Sequence, residues 1–174
     1  MRENRSVAKG TLAGLAGGLA ASWVMVQFQN AWSAASKNLK SDSEAQSQQQ
    51  QQQQSGDSED ATMKAADKLA HMAGRSLTKE QKKKAGPAVH YAFGTLMGGV
   101  YGAGTELIPQ NGAAAAALFG TGLFVAADEV AVPALGLSKS PREYPLSTHL
   151  YGLASHLVYG FTAEYVRRGV RRLL

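Results

Sequence analysis

An apolar run from Gly112 to Pro133 constrains this chain most, because it is long enough to cross a membrane and yet carries two carboxylates near its end. A helix spans the bilayer core with about 20 apolar residues. Asp128 and Glu129 lie inside the run, where a charged group is costly unless it has a partner or faces a bundle interior. A buried helix of a large soluble protein can also be apolar all round. Three more stretches of similar character favour a membrane protein.

The other apolar stretches run from Val7 to Trp32, from Gly86 to Ile108 and from Leu146 to Val166. The mean hydropathy of −0.21 resembles that of a soluble protein because the polar residues 33–85 lower the average. Most of the 19 glycines lie in the apolar stretches, where they are common in membrane-spanning helices. We therefore predict an all-α fold, an integral membrane four-helix bundle with a polar, partly disordered linker.

The chain divides by composition into three parts. Residues 1–32 form a basic N-terminus and the first transmembrane helix, residues 33–85 form the linker, and residues 86–174 hold three transmembrane helices and a basic tail. The first part of the linker, residues 33–60, contains a polyglutamine run at 48–54, and such a composition is typical of disorder. From Ala61 onward its apolar residues recur at spacings of three and four, which predicts a short amphipathic helix. This helix either lies on the membrane surface or packs against the loops of the bundle.

Small residues recur at every fourth position along the first and second predicted helices, so that one face of each is nearly bare, and two glycines lie beside the histidines of the fourth helix. Such stripes let helix backbones approach closely in lipid. They also leave surfaces for self-association, which makes a homo-oligomer an open alternative to a monomer. The helix-packing glycines are Gly10, Gly14, Gly18, Gly94, Gly98, Gly102, Gly152 and Gly160.

An internal repeat relates the second predicted helix to the fourth at a constant offset of 58 residues. The first and third helices align more weakly, with Ala20–Val26 against Ala126–Val132. This pattern indicates a duplicated two-helix hairpin whose halves share one orientation, like the parallel repeats of some transporters. The matching pairs are Gly94 with Gly152, Tyr101 with Tyr159, Gly102 with Gly160 and Glu106 with Glu164.

The polar residues inside the predicted helices fall into layers. Four alternating crossings place His90, Asp128, Glu129 and His149 on one side of the membrane, within about two turns of its surface at 1.5 Å per residue. A second layer on the opposite side holds Glu106 and Glu164. His156 lies near the midplane.

The first layer admits three interpretations. In the leading one, Asp128 or Glu129 pairs with His90 or His149 and locks the bundle. In the second, the layer exchanges protons or binds a cation, because carboxylates and imidazoles titrate near neutral pH when they are desolvated or paired. Ligation of a metal or haem is the weakest, since His149 and His156 share a helix and no metal-binding motif is present. For Glu164, the neighbouring Arg168 is the simplest partner.

Several classes of function are not favoured. The sequence has no nucleophile elbow, phosphate-binding loop or dinucleotide fingerprint, so we do not expect an enzyme, a cofactor or a bound metal. It has no Cys, which excludes disulfides and thiolate metal sites. The net charge of +5 comes largely from Lys and Arg clusters beside the apolar stretches. These clusters suit anionic lipid headgroups, and no nucleic-acid-binding motif accompanies them.

The orientation of the predicted helices is only weakly indicated. The two termini carry seven Lys and Arg residues, against eleven in the linker and the loop at 138–145. Positive-inside counting thus leans towards cytoplasmic loops and external termini. A cleaved signal peptide is an alternative for the first helix, because the basic start, the apolar centre and Ser33-Ala34-Ala35 fit that template.

Three segments of the chain resemble a known bacterial family. AGPAVHYAFGTLMGGVYG, ADEVAVPALGLS and YPLSTHLYGLASHLVYG are similar to segments of the YagU-like inner-membrane proteins. The resemblance covers Gly86 to Val166, whereas the first helix fits more loosely and the polyglutamine linker is not part of the pattern. It implies a multi-pass protein of the bacterial cytoplasmic membrane with a link to acid tolerance, and it supplies no catalytic residues.

Two functional hypotheses follow. The leading one is a structural or accessory membrane protein that interacts with membrane lipids and supports acid or stress tolerance. The alternative is a small proton-coupled transporter or ion channel that uses the layer of His90, Asp128, Glu129 and His149.

Overall fold

A computed structural model describes residues 6–38, 59–108 and 112–174, and these residues form helices and short connections. The prediction of an all-helical chain is confirmed for these ranges. The basic residues before Ser6, the polyglutamine run and the turn at 109–111 lie outside them. The helices are α1 (Val7–Asn38), α2 (Ala61–Met72), α3 (Lys79–Leu107), α4 (Gly112–Leu123) and α5 (Leu146–Leu173), with a π-helical segment (Phe124–Ala131) and a short α turn (Val132–Ala134) continuing α4.

Helix α1 is the centre of the molecule, because α3 and α5 both pack along it. Both run antiparallel to α1, since Gly10 lies against Glu106 while Trp32 lies against Tyr151 at the other end. Helix α4 packs antiparallel against α5. The four long helices therefore alternate in direction along the chain.

The glycines of α1 and α3 allow the two backbones to touch. A Cβ atom placed on Gly98 would lie 2.5 Å from the carbonyl oxygen of Gly14 and 2.5 Å from Cα of Gly18. Gly102 lies against Gly10 and Gly14 in the same way, one turn further along. No side chain fits between the helices at these positions, so the register of this pair is fixed by its glycines.

Helices α4 and α5 meet in a comparable register. Gly160 lies against the carbonyl oxygen of Ala116, and Gly120 lies against the backbone of His156. One turn further, Gly152 accommodates the ring of Phe124. Small residues thus set the closest approach in this hairpin too.

The third apolar stretch changes from α to π geometry where its carboxylates lie. In the π-helical segment Phe124–Ala131, hydrogen bonds run over five residues, and such widened turns are frequent at functional sites. The N–H of Val132 still donates to the carbonyl of Ala127. Pro133 follows and has no N–H to donate. The sequence pattern gave no indication of this change.

Two helical stretches of the described chain have the length and mean hydropathy of a membrane span, Val7–Ser36 and Gly112–Ala134. They coincide with the first and third predicted spans. The second and fourth predicted spans lie in α3, which begins with a lysine-rich segment, and in α5, which ends with an arginine cluster.

Helix α2 packs against α3, a helix of the bundle, whereas one of the two placements considered from the sequence had it against the loops of the bundle. Its apolar face buries Met63 and Ala66, and Met63 lies against Gly86 of α3. Thr78 and Gln81 form the capping box at the start of α3. The ammonium of Lys82 lies 2.8 Å from a carboxylate oxygen of Asp67, which ties the polar side of α2 to α3.

Candidate functional site

A cavity of about 860 Å³ opens at the end of the bundle where α1 approaches its C-terminus and α5 begins. It is bounded by α1, α3, the π-helical segment, the start of α2 and the loop before α5. The whole first polar layer predicted from the sequence lines this cavity, and so does His156. The histidines and carboxylates that line the cavity from the helices and the π-helical segment are His90, Asp128, Glu129, His149 and His156.

Glu129 and His149 form the tighter of the two acid–imidazole contacts. Nδ1 of His149 lies 2.8 Å from a carboxylate oxygen of Glu129, and Nε2 lies 3.1 Å from the carbonyl oxygen of Pro141. When Glu129 is ionised both neighbours are hydrogen-bond acceptors, so both ring nitrogens then carry protons and the ring is an imidazolium. The pair then matches one negative charge with one positive charge.

Asp128 has a looser contact. Its carboxylate lies 3.6 Å from Nδ1 of His156 and its side chain is 44% exposed. Nδ1 of His156 lies 3.0 Å from the carbonyl oxygen of Gly152, which is its hydrogen-bond acceptor. Asp128 therefore has a charged or polarised neighbour but no hydrogen bond within the described ranges. Although the two carboxylates are adjacent in sequence, they lie beside imidazoles that are two turns apart on α5.

His90 lies on the opposite wall of the cavity, on α3, and does not pair with a carboxylate. Its Nε2 is buried and has no hydrogen-bond partner among the described residues. Its ring makes an edge contact with Tyr91 at a centroid distance of 5.6 Å. A buried ring nitrogen without a partner is uncommon. The sequence offered either His90 or His149 as the partner of Asp128 or Glu129, and the structure pairs His149 with Glu129.

The second polar layer lies at the other end of the bundle, where α5 ends. Glu106 at the end of α3 receives hydrogen bonds from the guanidinium of Arg171 at 2.7 Å and from the backbone N–H of Ser6 at 3.0 Å. This contact joins α3, α5 and the start of α1. The sequence placed Glu106 at this end but did not indicate Arg171, which is 65 residues away in the chain.

Glu164 is buried and holds two arginines of its own helix. Arg167 donates two hydrogen bonds to it, at 2.8 and 3.0 Å, and Arg168 donates one at 2.5 Å. The guanidinium of Arg167 also lies 5.9 Å from the ring centre of Tyr101 on α3. The predicted contact with Arg168 is present, and the buried Arg167 is the partner that the sequence did not indicate.

Metal binding has little support within the ranges that the structure describes. No group of three or more His, Asp and Glu side chains there has an arrangement that could hold a metal ion. His90 and His149 do not converge with Asp128, the combination considered from the sequence.

The aromatic lining of the cavity is the feature that sequence reasoning missed. Phenylalanine and tyrosine side chains come from α3, the π-helical segment, the loop before α5 and α5 itself. Their spacing in the sequence shows no common face, because they converge only through the packing of separate elements. These residues are Tyr91, Phe93, Phe124, Tyr144, Tyr151 and Tyr159.

Comparison with known proteins identifies one family. Residues 48–165 match a family described as a protein of unknown function, DUF1440. The match begins within the polyglutamine run, earlier than the resemblance seen in the sequence, and it excludes α1. Curated proteins and solved structures give no match to this chain.

Proposed function

The chain belongs to the DUF1440 family of proteins of unknown function, and from this premise we propose that it is a multi-pass protein of the bacterial inner membrane. In this proposal α1, α3, α5 and the α4 stretch each cross the membrane once, as a four-helix bundle. The role of the bundle is structural or accessory and supports acid or stress tolerance. Two helices with the length and hydropathy of membrane spans support this placement.

The observation that carries the structural role is that each of the four carboxylates in the proposed spans lies beside a basic side chain. The partners of Glu106 and Glu164 are arginines, whereas those of Asp128 and Glu129 are histidines. Intramembrane charges are kept where they pair with one another inside a bundle. The contact of Glu106 with Arg171 joins separate helices, which is what a structural lock requires.

The register of the two hairpins supports the proposed duplication. The α1 and α3 hairpin places Gly14 against Gly98, and the α4 and α5 hairpin places Gly120 against His156. The second contact is related to the first by the offsets found in the sequence, which are 106 residues from α1 to α4 and 58 residues from α3 to α5. Two hairpins of common origin would conserve this register.

Membrane extraction tests the placement. A C-terminally tagged full-length protein should stay in the membrane pellet after alkaline carbonate treatment and keep its full apparent mass. Release into the supernatant would contradict the proposal. A product shortened by the first helix would instead favour a cleaved signal peptide.

Proton-coupled transport is a second candidate, favoured by the cavity at the histidine and carboxylate layer. Asp128 is exposed there beside His156, and His90 has an unpaired ring nitrogen. Asp128→Asn distinguishes the two functions, because asparagine keeps the hydrogen-bonding capacity and loses the titratable charge. If the layer is structural, the variant should restore acid survival to cells that lack the protein. Loss of proton flux in proteoliposomes, with the fold intact, would favour transport.

A further inference from the structure

The cavity has the size of a binding site for an organic molecule. Its volume of about 860 Å³ falls within the range of about 300–1,000 Å³ that is typical of sites for drug-sized ligands. Six aromatic side chains line it, and those of Phe93 and Tyr144 are 44% and 37% exposed. Aromatic faces attract cations, and the attraction grows when the site is desolvated.

The charge of the cavity points to a cationic ligand. Glu129 is matched by the imidazolium of His149, whose two ring nitrogens both face acceptors. Asp128 has no hydrogen-bonded partner of this kind among the described residues, because Nδ1 of its neighbour His156 donates to the carbonyl of Gly152 and lies 3.6 Å from the carboxylate. The side chain of Asp128 is 44% exposed and lines the cavity, so a cation in the cavity can contact it directly.

Two further charged residues line the cavity and leave this balance in place. The carboxylate of Asp60 caps α2, where it accepts from the N–H of Met63 and the hydroxyl of Thr62. Lys139 lies in the loop before α5 and is exposed. Within the described ranges, the ion pair of Asp128 is with His156 and not with Lys139.

We propose that this cavity binds a monovalent hydrophobic organic cation, with the charge beside Asp128 and the apolar groups against the aromatic wall. This binding site goes beyond the structural role proposed above, and it does not require transport. A molecule of this class would place a positive charge in direct contact with the carboxylate of Asp128. It would also fill space that the aromatic side chains leave open.

Equilibrium dialysis of the purified full-length chain in a neutral detergent tests the site, with tetraphenylphosphonium as the probe. Tetraphenylborate, which has a similar shape and the opposite charge, is the matched control ligand. We expect saturable binding of the cation alone. Asp128→Asn should weaken it by at least about tenfold, because the ligand loses its counter-charge in a site of low dielectric constant. The control Glu80→Gln changes an exposed carboxylate at the start of α3 and should bind like the wild type.

A second variant tests the site independently if Asp128→Asn folds poorly. Ala131→Trp adds an indole to the cavity wall at an exposed position and should also abolish saturable binding. Equal binding of the two probes, or binding that neither variant changes, would overturn the site and indicate partitioning into detergent. Carbonate extraction of the same variants reports separately on membrane insertion. A retained, helical protein that does not bind the cation refutes this inference alone.

Discussion

At the scale of single residues, Glu164 shows how a buried charge is satisfied in this chain. Its side chain is 6% exposed and that of Arg167 is 10% exposed. The sequence spacing of four identified Arg168, because residues four apart share a helix face. It did not identify Arg167, since only the tertiary structure decides that this arginine faces the interior beside Tyr101.

We expect Glu164→Gln to destabilise the protein strongly. Loss of the carboxylate leaves Arg167 buried without its charge partner, which typically costs about 3–5 kcal/mol in the free energy of unfolding. Thermal unfolding of the detergent-solubilised protein, followed by circular dichroism, measures the change. Glu80→Gln is the control and should unfold within a few degrees of the wild type. Equal unfolding temperatures for the two variants would contradict the assigned role of Glu164.

The histidine and carboxylate layer was only partly predictable at this scale. Alternating crossings were enough to place His90, Asp128, Glu129 and His149 together. They were not enough to assign the pairs, because the π-helical segment changes the directions in which adjacent residues point. As a result Asp128 approaches His156, the residue expected at the midplane, and His90 is left without a carboxylate.

At the scale of elements, the glycine stripes were the most readable feature of the sequence. A spacing of four puts small residues on one helix face whatever the surrounding residues are. The sequence could not say which stripe meets which, and the structure brings the stripes of α1 and α3 together. The change to π geometry was unpredictable, because its residues are ordinary helix formers and the cause lies in packing and in the proline that follows.

Gly98→Ala tests the contact between α1 and α3. The added methyl group would meet the backbone of Gly14 and Gly18 at 2.5 Å, so the helices must separate or shift. We expect a loss of about 1–3 kcal/mol in the free energy of unfolding, as for other overpacked sites. The matched control is Gly104→Ala in the same helix, where an added Cβ meets no atom within 4 Å.

The control variant should behave in the opposite way. Gly104→Ala should stabilise α3 by up to about 1 kcal/mol, because alanine has the higher helix propensity. Unfolding of both variants in a denaturing detergent measures the difference. A Gly98→Ala variant as stable as Gly104→Ala would show that the two helices are not in close contact.

The attachment of α2 to α3 should depend on pH. The hydrogen bond from Lys82 lowers the pKa of Asp67 below 3.8, and the same contact raises the pKa of Lys82 above 10.5. The stabilisation of this attachment by the Asp67 carboxylate is therefore complete above pH 3.8 and is lost as the pH falls through the lowered pKa of Asp67. The contribution of the ammonium is lost as the pH rises through the raised pKa of Lys82.

Spin labels on α2 and α3, at Leu69→Cys and Lys84→Cys, would measure this dependence. We expect a narrow distance distribution at neutral pH that broadens at acid pH, while the buried Met63 and Ala66 keep α2 near α3. With Asp67→Asn added, the distribution should be broader at neutral pH and less sensitive to acid, since only the ion pair of Lys82 with Glu59 remains to be titrated at this contact. A wild-type distribution that does not change with pH would show that the apolar face alone holds α2.

At the scale of the whole molecule, the four crossings proposed above would fix which connections share a side of the membrane. The loop before α5 and the C-terminal end of α5 should lie on opposite sides. Because the chain has no native Cys, Ser140→Cys and Gly169→Cys give single labelling sites, and an added Cβ at Gly169 meets no atom within 4 Å. Positive-inside counting favours labelling of Gly169→Cys from outside the cell.

A membrane-impermeant maleimide, applied to intact cells and to inverted vesicles, measures the sidedness. Reciprocal labelling of the two positions supports a crossing by α5, in either orientation. Labelling of both positions from the same side would contradict the bundle, whatever the result of carbonate extraction.

The π-helical segment departs from regular α geometry at the point where the chain places Asp128 and Glu129 beside two histidines. A π turn contains one residue more than an α turn, so deleting one alanine between Phe124 and Asp128 would let regular α hydrogen bonds re-form. The repaired helix would gain backbone order, but Asp128 and Glu129 would rotate away from His156 and His149. The deletion variant would lose the contacts between carboxylates and imidazoles while keeping its glycine contacts. The irregular turn is therefore the point where a change of a single residue in chain length would separate the scaffold from the site.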